Sequence, residues 1–195
     1  MKLLAFETTD TVASVALYVD GTVYETVIDT NKRHAESVLP AAESLLCEHG
    51  LSTADMDAFA ADAGPGSFTG VRIGVCMANA LAAAHQKTVV AVYALEAIAY
   101  PYRTETVCAL IDARNGNGYG ALYRSGETLR GPCACVIDDF TADLPDGSQM
   151  VGTGTNNPKL PSAGDVARIA AGRTGEKEIA PLYLKLSQAE RMWNA

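Results

Sequence analysis

Short apolar runs alternate with longer stretches of helical periodicity in the first half of the chain. Segments 57–63 and 88–93 have the length and composition of buried strands, whereas segments 34–49 and 71–86 place apolar residues on one helical face. Proline is tolerated only in the first turn of a helix, so Pro40 is predicted to lie near the start of the first one. This alternation of strand and helix patterns predicts an α/β fold.

Segments 4–21 and 109–126 look like two copies of one unit. They align without a gap at an offset of 105 residues, and Glu7 of the first copy meets Asp112 of the second. Each copy reads as an apolar strand, an acidic turn, a second strand and a turn containing glycine. The chain is therefore predicted to contain two related α/β halves, each opening with a β-hairpin.

The second half has weaker patterns than the first. Segment 147–158 is rich in glycine and polar residues and is predicted to be a loop, and 162–171 can form a short helix. The boundary between the halves is placed between 100 and 106. The resulting domains are 1–102, with the glycine motif, and a smaller 103–195.

Composition narrows the class of protein. Of the 195 residues, 48 % are apolar and 19 % are charged, which is typical of a soluble globular protein. No apolar run is long enough to span a membrane, so we expect a cytoplasmic location without membrane contact. The formal net charge of −8 predicts weak binding to nucleic acid without a basic partner. The five cysteines include no CxxC pair and are expected to be reduced.

The sequence GPGSFTGVRIG, at 64–74, joins a predicted strand to a predicted helix and has two readings. It lacks the lysine of a Walker loop and the spacing of a dinucleotide fingerprint, yet a turn at a helix N-terminus can hold an anion. Alternatively, Gly70, Gly74, Ala78 and Ala82 form a stripe of small residues that lets another helix approach closely.

Several motifs together resemble the TsaB (YeaZ) family, which contributes a subunit to the synthesis of threonylcarbamoyladenosine in tRNA. They are GPGSFTGVRIG, LLAFETTDTVASVAL, RHAESVLP, LEAIA, LIDARNGNGY and APLYLK, and they are spread over most of the chain. Asn117 departs from the family pattern, and 130–161 is short and poorly matched.

The resemblance implies a duplicated actin/hexokinase/Hsp70-like fold (ASKHA, ribonuclease H-like), with mixed sheets flanked by helices. It also implies a non-catalytic scaffold that pairs with a TsaD-like catalytic paralogue and recruits a TsaE-like ATPase, meeting tRNA only through the complex. The free chain could form a homodimer. No cofactor is expected to bind tightly to this chain alone, and ATP or ADP with magnesium is left open for the complex. Ala94 and Ile98 stand where TsaD has its metal-binding histidines, so no metal site is expected.

The same resemblance suggests two sets of site residues. The partner interface is predicted to contain Arg33, His34, Glu36, Val38, Leu39, Gly70, Val71, Gly74, Met77, Ala78 and Ala82. Contacts to a nucleotide or other anion are predicted for Gly64, Gly66, Ser67, Thr69, Arg72, Glu7, Asp112 and Arg114. Glu7 and Asp112 are either vestiges of magnesium-holding carboxylates or ordinary turn residues.

Two other functions remain as alternatives. An autonomous ATP-binding ASKHA kinase or ATPase would fit the fold, but the first hairpin turn has no glycine. A glycoprotease-like peptidase is more remote, because the chain contains no HExxH and Ser67 is not in a GxSxG elbow.

Overall fold

The first half is built on a five-stranded mixed sheet with the strand order β3-β2-β1-β4-β5. The computed structural model describes residues 1–28 and 34–185. The strands are β1 (Lys2–Glu7), β2 (Ala13–Val19), β3 (Thr22–Ile28), β4 (Ala58–Asp62) and β5 (Thr88–Val92). β1 pairs antiparallel with β2 and parallel with β4, so the carboxyl ends of β1 and β4 lie side by side.

The second half repeats this topology in a four-stranded sheet with the order β8-β7-β6-β9. Its strands are β6 (Thr106–Asp112), β7 (Asn117–Arg124), β8 (Glu127–Val136) and β9 (Gln149–Gly152). β6 pairs antiparallel with β7 and parallel with β9, as β1 does with β2 and β4. The predicted duplicated α/β fold with mixed sheets and flanking helices is therefore confirmed.

The described part of the chain contains five α-helices, which cover the two sheets. They are α1 (His34–Glu48), α2 (Phe68–His85), α3 (Ala94–Ala99), α4 (Ile137–Ala142) and α5 (Ala163–Ala170). α1 and α2 share one apolar cluster with the first sheet, while α5 packs with its other face. α3 contributes Ala97 to the α5 cluster and Leu95 to the cluster of the second sheet, so it joins the two halves.

Three sequence predictions about these elements are wrong in detail. Pro40 lies inside α1 rather than in its first turn. The neighbouring residues Val38 and Ala42 are fully buried, and their packing offsets the helix bond that proline cannot make. α2 begins at Phe68 rather than at residue 71, because Ser67 caps it. The loop predicted over 147–158 contains β9.

The gapless alignment of the two hairpins is also wrong by one residue. Leu4 pairs with Leu17 in the first hairpin, whereas Ala109 pairs with Ala121 in the second. The loop between β6 and β7 is therefore one residue shorter than the loop between β1 and β2. The shared residues Ala-Leu-Tyr in the two second strands concealed this shift.

The predicted domain boundary at 102/103 stays a prediction. α5 follows that boundary in sequence, yet it packs on the first sheet through Val166, Ala167 and Ala170. Among residues 1–28 and 34–185, none of the helices combines the length and the apolar content that crossing a bilayer requires.

Candidate functional site

The glycines of the GPGSFTG motif bring α2 against the loop that follows β1. A Cβ atom on Gly70 would lie 2.0 Å from the carbonyl oxygen of Thr8, and one on Gly66 would lie 2.6 Å from the carbonyl oxygen of Thr9. Thr8 Oγ1 donates a hydrogen bond of 2.7 Å to the Gly70 carbonyl. The small residues therefore serve close packing within the chain, and a loop rather than a second helix makes the approach.

A pair of carboxyl groups lies buried beneath this contact. Glu7 ends β1, Asp62 ends β4, and both are fully inaccessible to solvent. Thr9 Oγ1 lies between them, 2.6 Å from Glu7 Oε1 and 3.2 Å from Asp62 Oδ2. Asp62 Oδ1 accepts from the Gly64 amide at 2.8 Å, whereas Glu7 Oε2 has no partner among the described residues.

Burial dominates the electrostatics of this pair. Desolvation raises the pKa of Asp62 to about 7. The pKa of Glu7 is also raised well above its usual range, by burial first and then by the nearby Asp62 carboxyl. A single Thr9 hydroxyl hydrogen cannot serve both carboxylates, so a proton held by the pair supplies the second hydrogen bond.

An open cleft of about 500 Å³ lies between the two halves. The loop after β1 supplies Thr9, Asp10 and Thr11, the start of the glycine motif supplies Gly66 and Ser67, and the region around the second hairpin loop supplies the rest. Those remaining residues are Ile111, Asp112, Ala113, Arg114 and Tyr119.

Four of the eight residues predicted to contact a nucleotide or anion line this cleft, namely Gly66, Ser67, Asp112 and Arg114. Glu7 and Gly64 are buried and do not line the cleft, so a ligand contact for them stays a prediction. Thr69 and Arg72 are exposed, but neither lines the cleft.

Sequence reasoning also missed several residues of this region. Thr9, Asp10 and Thr11 line the cleft, and Asp62 lies beneath it. The sequence feature that could have identified Asp62 is its position as the acidic last residue of an otherwise apolar strand. Within the described residues, no group of three or more histidine, cysteine or acidic side chains is placed to hold a metal ion.

The residues of the predicted partner interface divide between the core and the surface of this chain. The residues Val38, Gly70, Val71, Gly74, Ala78 and Ala82 are buried in the core of this chain. α1 and α2 turn these faces inward to cover the first sheet, and contact of these residues with a partner stays a prediction. Met77 is half-buried, whereas Leu39 and Glu36 are exposed. Arg33 lies outside the described residues, and so does the side chain of His34.

The outward face of α2 has an unusual composition. Ile73 and Met77 are half-buried, and Cys76, Ala80 and Ala84 are exposed. These positions follow helical spacing, and the helix has no charged residue between Arg72 and its last turn. We call these five residues the outer stripe of α2.

A cluster of side chains marks the N-terminal end of this stripe. The Arg72 guanidinium lies 4.0 Å from the centre of the Phe68 ring, and its Nε donates to the Tyr183 hydroxyl at 2.8 Å. The Phe68 and Tyr183 rings stack with their centres 4.7 Å apart. The segment bearing Tyr183 is held to α2 by Asn79, whose amide makes two hydrogen bonds to the backbone of Ile179. Arg72 therefore has a packing role.

Comparison with known proteins identifies relatives in sequence and in structure. A protein-family model described as TsaD, tRNA N6-adenosine threonylcarbamoyltransferase, matches residues 23–171. The tRNA threonylcarbamoyladenosine biosynthesis protein TsaB of Escherichia coli is 37 % identical over 131 residues, which are 65 % of this chain and 57 % of the relative. TsaB of Bacillus subtilis is 35 % identical over 154 residues, 77 % of this chain and 66 % of the relative.

The structure of YeaZ from Pseudomonas aeruginosa superposes with a TM-score of 0.82 at 30 % identity, covering 94 % of this chain and 99 % of that one. The chain belongs to the TsaB (YeaZ) family. A second P. aeruginosa structure, described as similar to the peptidase YEAZ, gives a TM-score of 0.86 at 30 % identity with the same coverage.

The family assignment explains the fold and the glycine motif of this TsaB-family chain. The matched region spans 57 % and 66 % of the length of the two curated relatives from E. coli and B. subtilis. The family model carries the name of the transferase itself.

Proposed function

We propose that this TsaB-family chain is a non-catalytic scaffold of a tRNA threonylcarbamoyltransferase complex. It pairs with a TsaD-like catalytic paralogue, which transfers the threonylcarbamoyl group to the adenosine 3′ of the anticodon. A TsaE-like ATPase joins the complex, and tRNA is met only through it. The expected location is the cytoplasm.

The observation that carries this proposal is the outer stripe of α2. An amphipathic surface helix normally turns charged residues to solvent, but the solvent-facing side of α2 carries Cys76 and Ala80. Small uncharged side chains allow a partner helix to approach closely and lose little hydration when covered. The neighbouring α1 adds the exposed side chain of Leu39.

Charge distribution indicates the chemistry of the partner. α1 carries exposed Glu36, Glu43 and Glu48, and the whole chain has a formal charge of −8. A basic rim on the partner would complement this acidic helix. The same charge opposes direct binding of tRNA, whose backbone selects lysine and arginine.

The cleft between the halves is assigned a secondary role. Its lining includes the carboxylates of Asp10 and Asp112 and the guanidinium of Arg114. A nucleotide phosphate would be repelled by the carboxylates unless magnesium or a partner supplied positive charge. We therefore expect ATP or ADP with magnesium to bind in the complex rather than to this chain alone.

The test is complex formation by size exclusion with the TsaD-like protein of the same bacterium, with and without magnesium and ATP. Ala80→Arg places a charged side chain in the outer stripe and should weaken the complex by at least about tenfold. Ala134→Arg is the matched control, because Ala134 is exposed on β8 in the other half. If Ala80→Arg forms the complex as well as the unmodified chain, the proposed interface is wrong.

The same face would also support a homodimer of the free chain. Sedimentation of the chain alone would then show self-association that Ala80→Arg reduces and the TsaD-like protein displaces. Self-association that persists in Ala80→Arg would assign the dimer to another surface.

An autonomous ATP-binding kinase or ATPase is the second candidate, because the interlobe cleft contains the hydroxyls of Thr11 and Ser67 beside two carboxylates. Calorimetry of the isolated chain with magnesium and ATP distinguishes the two functions, since tight binding would favour the autonomous enzyme.

A peptidase is less favoured. The Ser67 hydroxyl accepts from the Gly70 amide, while His49 and His85 contact the Leu45 carbonyl and the Thr53 hydroxyl.

A further inference from the structure

A second cavity shares no lining residue with the interlobe cleft. It has a volume of about 260 Å³ and lies where α3 and the turn after it meet β6, β7 and the C-terminal end of α5. α5 packs on the first sheet and β7 belongs to the second, so both halves build its walls. Cavities at such junctions are frequent sites for small ligands.

The inner wall of this cavity is apolar apart from the hydroxyls of its two tyrosines. Ala99, Val107 and Ile169 line it together with the rings of Tyr100 and Tyr123. Tyr123 is buried, and burial raises the pKa of its phenol, so the hydroxyl keeps its proton. Over residues 1–28 and 34–185, no group forms a hydrogen bond with that hydroxyl. A ligand atom that accepts a hydrogen bond would therefore satisfy a donor that the chain leaves open.

Three arginines stand at the rim, and they differ in how far they are neutralised. Arg173 forms an ion pair with Glu96 and also donates to the Ala91 carbonyl at 3.3 Å. Arg168 lies 3.5 Å from Asp165, but Asp165 also accepts from Lys159 at 3.0 Å. One carboxylate therefore serves two cations, and the Glu25 carboxylate also lies near Arg168, since both groups stand beside the Cβ position of Gly164.

Arg103 is the least neutralised of the three. Its guanidinium lies 4.6 Å from the centre of the Tyr100 ring and donates to the Tyr100 carbonyl at 3.4 Å. No carboxylate of the described residues forms an ion pair with it. The other rim carboxylate, Glu105, accepts a hydrogen bond from the Gln149 amide. The rim thus carries three arginines against two glutamates in a chain whose net charge is −8.

We propose that this cavity binds a small amphipathic carboxylate. The apolar body would lie against Tyr100, Val107 and Ile169, and the carboxylate would face Arg103 and Arg168 and accept from the Tyr123 hydroxyl. A volume of 260 Å³ corresponds to about nine water-sized groups, so the ligand is small. A single negative charge is preferred over a phosphate dianion, because Glu96 and Glu105 would repel the second charge.

The probes are benzoate and 3-phenylpropionate, with benzamide as an uncharged molecule of the same shape as benzoate. Each is titrated into the full chain labelled with nitrogen-15, up to about 20 mM, where a fragment with a Kd of about 1 mM approaches saturation. The amide signals of Gly126 and Gly172, which line the cavity, report binding, and those of Gly66 and Gly116 report changes elsewhere.

The structure offers a variant that fills the cavity without removing a charge. A Cβ atom on Gly172 would have the Ile169 carbonyl oxygen at 3.7 Å as its nearest contact, and the backbone there is not left-handed. Gly172→Leu should therefore fold and occupy the space of the ligand. Arg103→Ala tests the anion contact, and Arg124→Ala is its control, because Arg124 is an exposed arginine that does not line the cavity.

The expected result is a shift of the Gly126 and Gly172 amides with at least one carboxylate, at least about tenfold weaker binding of benzamide than of benzoate, and a similar loss in Arg103→Ala. The Gly126 shift should vanish in Gly172→Leu and persist in Arg124→Ala. The proposal is overturned if neither carboxylate shifts these amides, if benzamide binds as well as benzoate, or if binding survives in Gly172→Leu.

Discussion

Glu7 and Asp112 occupy equivalent places in the two halves, yet their surroundings are opposite. Each ends the strand that pairs antiparallel with one neighbour and parallel with another. Glu7 is fully buried beside Asp62, whereas Asp112 is exposed in the cleft and accepts a hydrogen bond from the Arg114 amide at 2.7 Å. The two halves therefore carry an acidic residue at the same place in the fold, but the surroundings of that residue differ.

The difference follows from what comes after the parallel strand in each half. In the first half β4 leads into α2, a helix of 18 residues whose first turns cover the loop after β1. In the second half β9 leads into the irregular segment 153–162, and α5 then packs on the first sheet. Within residues 1–28 and 34–185, no helix after β9 covers the end of β6, and the space beside Asp112 is open as a cleft.

Among the tests of this comparison, Gly70→Ala has the largest expected effect on stability. Its Cβ atom would lie 2.0 Å from the Thr8 carbonyl oxygen, so either the loop after β1 or α2 must shift. We expect a loss of more than about 3 kcal/mol in the free energy of unfolding, or failure to fold. Chemical denaturation followed by circular dichroism measures this loss. Gly131→Ala in β8 is the control, since nothing lies within 4 Å of its Cβ position. A loss of similar size in both variants would contradict the packing role assigned to Gly70.

The next test concerns pH and the buried carboxyl pair. The pKa of Asp62 is about 7 in the folded chain and 3.8 for an unperturbed side chain, so the folded state binds more protons between these values. The free energy of unfolding must therefore fall as pH rises through this window, on the order of 2–4 kcal/mol for this residue.

Asp62→Asn should remove this contribution. Its amide nitrogen can donate to Thr9 Oγ1 in place of the carboxyl proton, and its oxygen can still accept from Gly64. Denaturation at about pH 5 and about pH 8 should show a smaller difference in the variant than in the unmodified chain. Glu7 retains a part of the dependence. Asp112→Asn, in the exposed counterpart, should leave the difference unchanged, and an unchanged difference in Asp62→Asn would refute the assignment.

The comparison also explains how far the sequence could be read. Apolar runs and helical spacing predicted most strands and helices, because these patterns act locally. The glycine motif was correctly placed between strand and helix, but the partner that its glycines admit lies far away in sequence, at Thr8 and Thr9. A stripe of small residues looks the same whether it faces a core or a partner. Spacing alone therefore could not show that Gly70, Gly74, Ala78 and Ala82 are buried in the core of this chain.

The smallest expected effect comes from two matched threonines. Thr9→Val removes the hydroxyl between Glu7 and Asp62 but keeps the shape of the side chain, leaving Asp62 Oδ2 buried without a partner. We expect a loss of about 1–3 kcal/mol in the free energy of unfolding. Thr153→Val is the counterpart in the second half, where Thr153 Oγ1 accepts from the Asp112 amide at 2.7 Å. Asp112 is exposed and water can replace that bond, so the loss should stay below about 1 kcal/mol. Urea denaturation of both variants measures the two losses. Equal losses would mean that the two strand ends are equally dry, and the contrast between a sealed first half and an open second half would then be wrong.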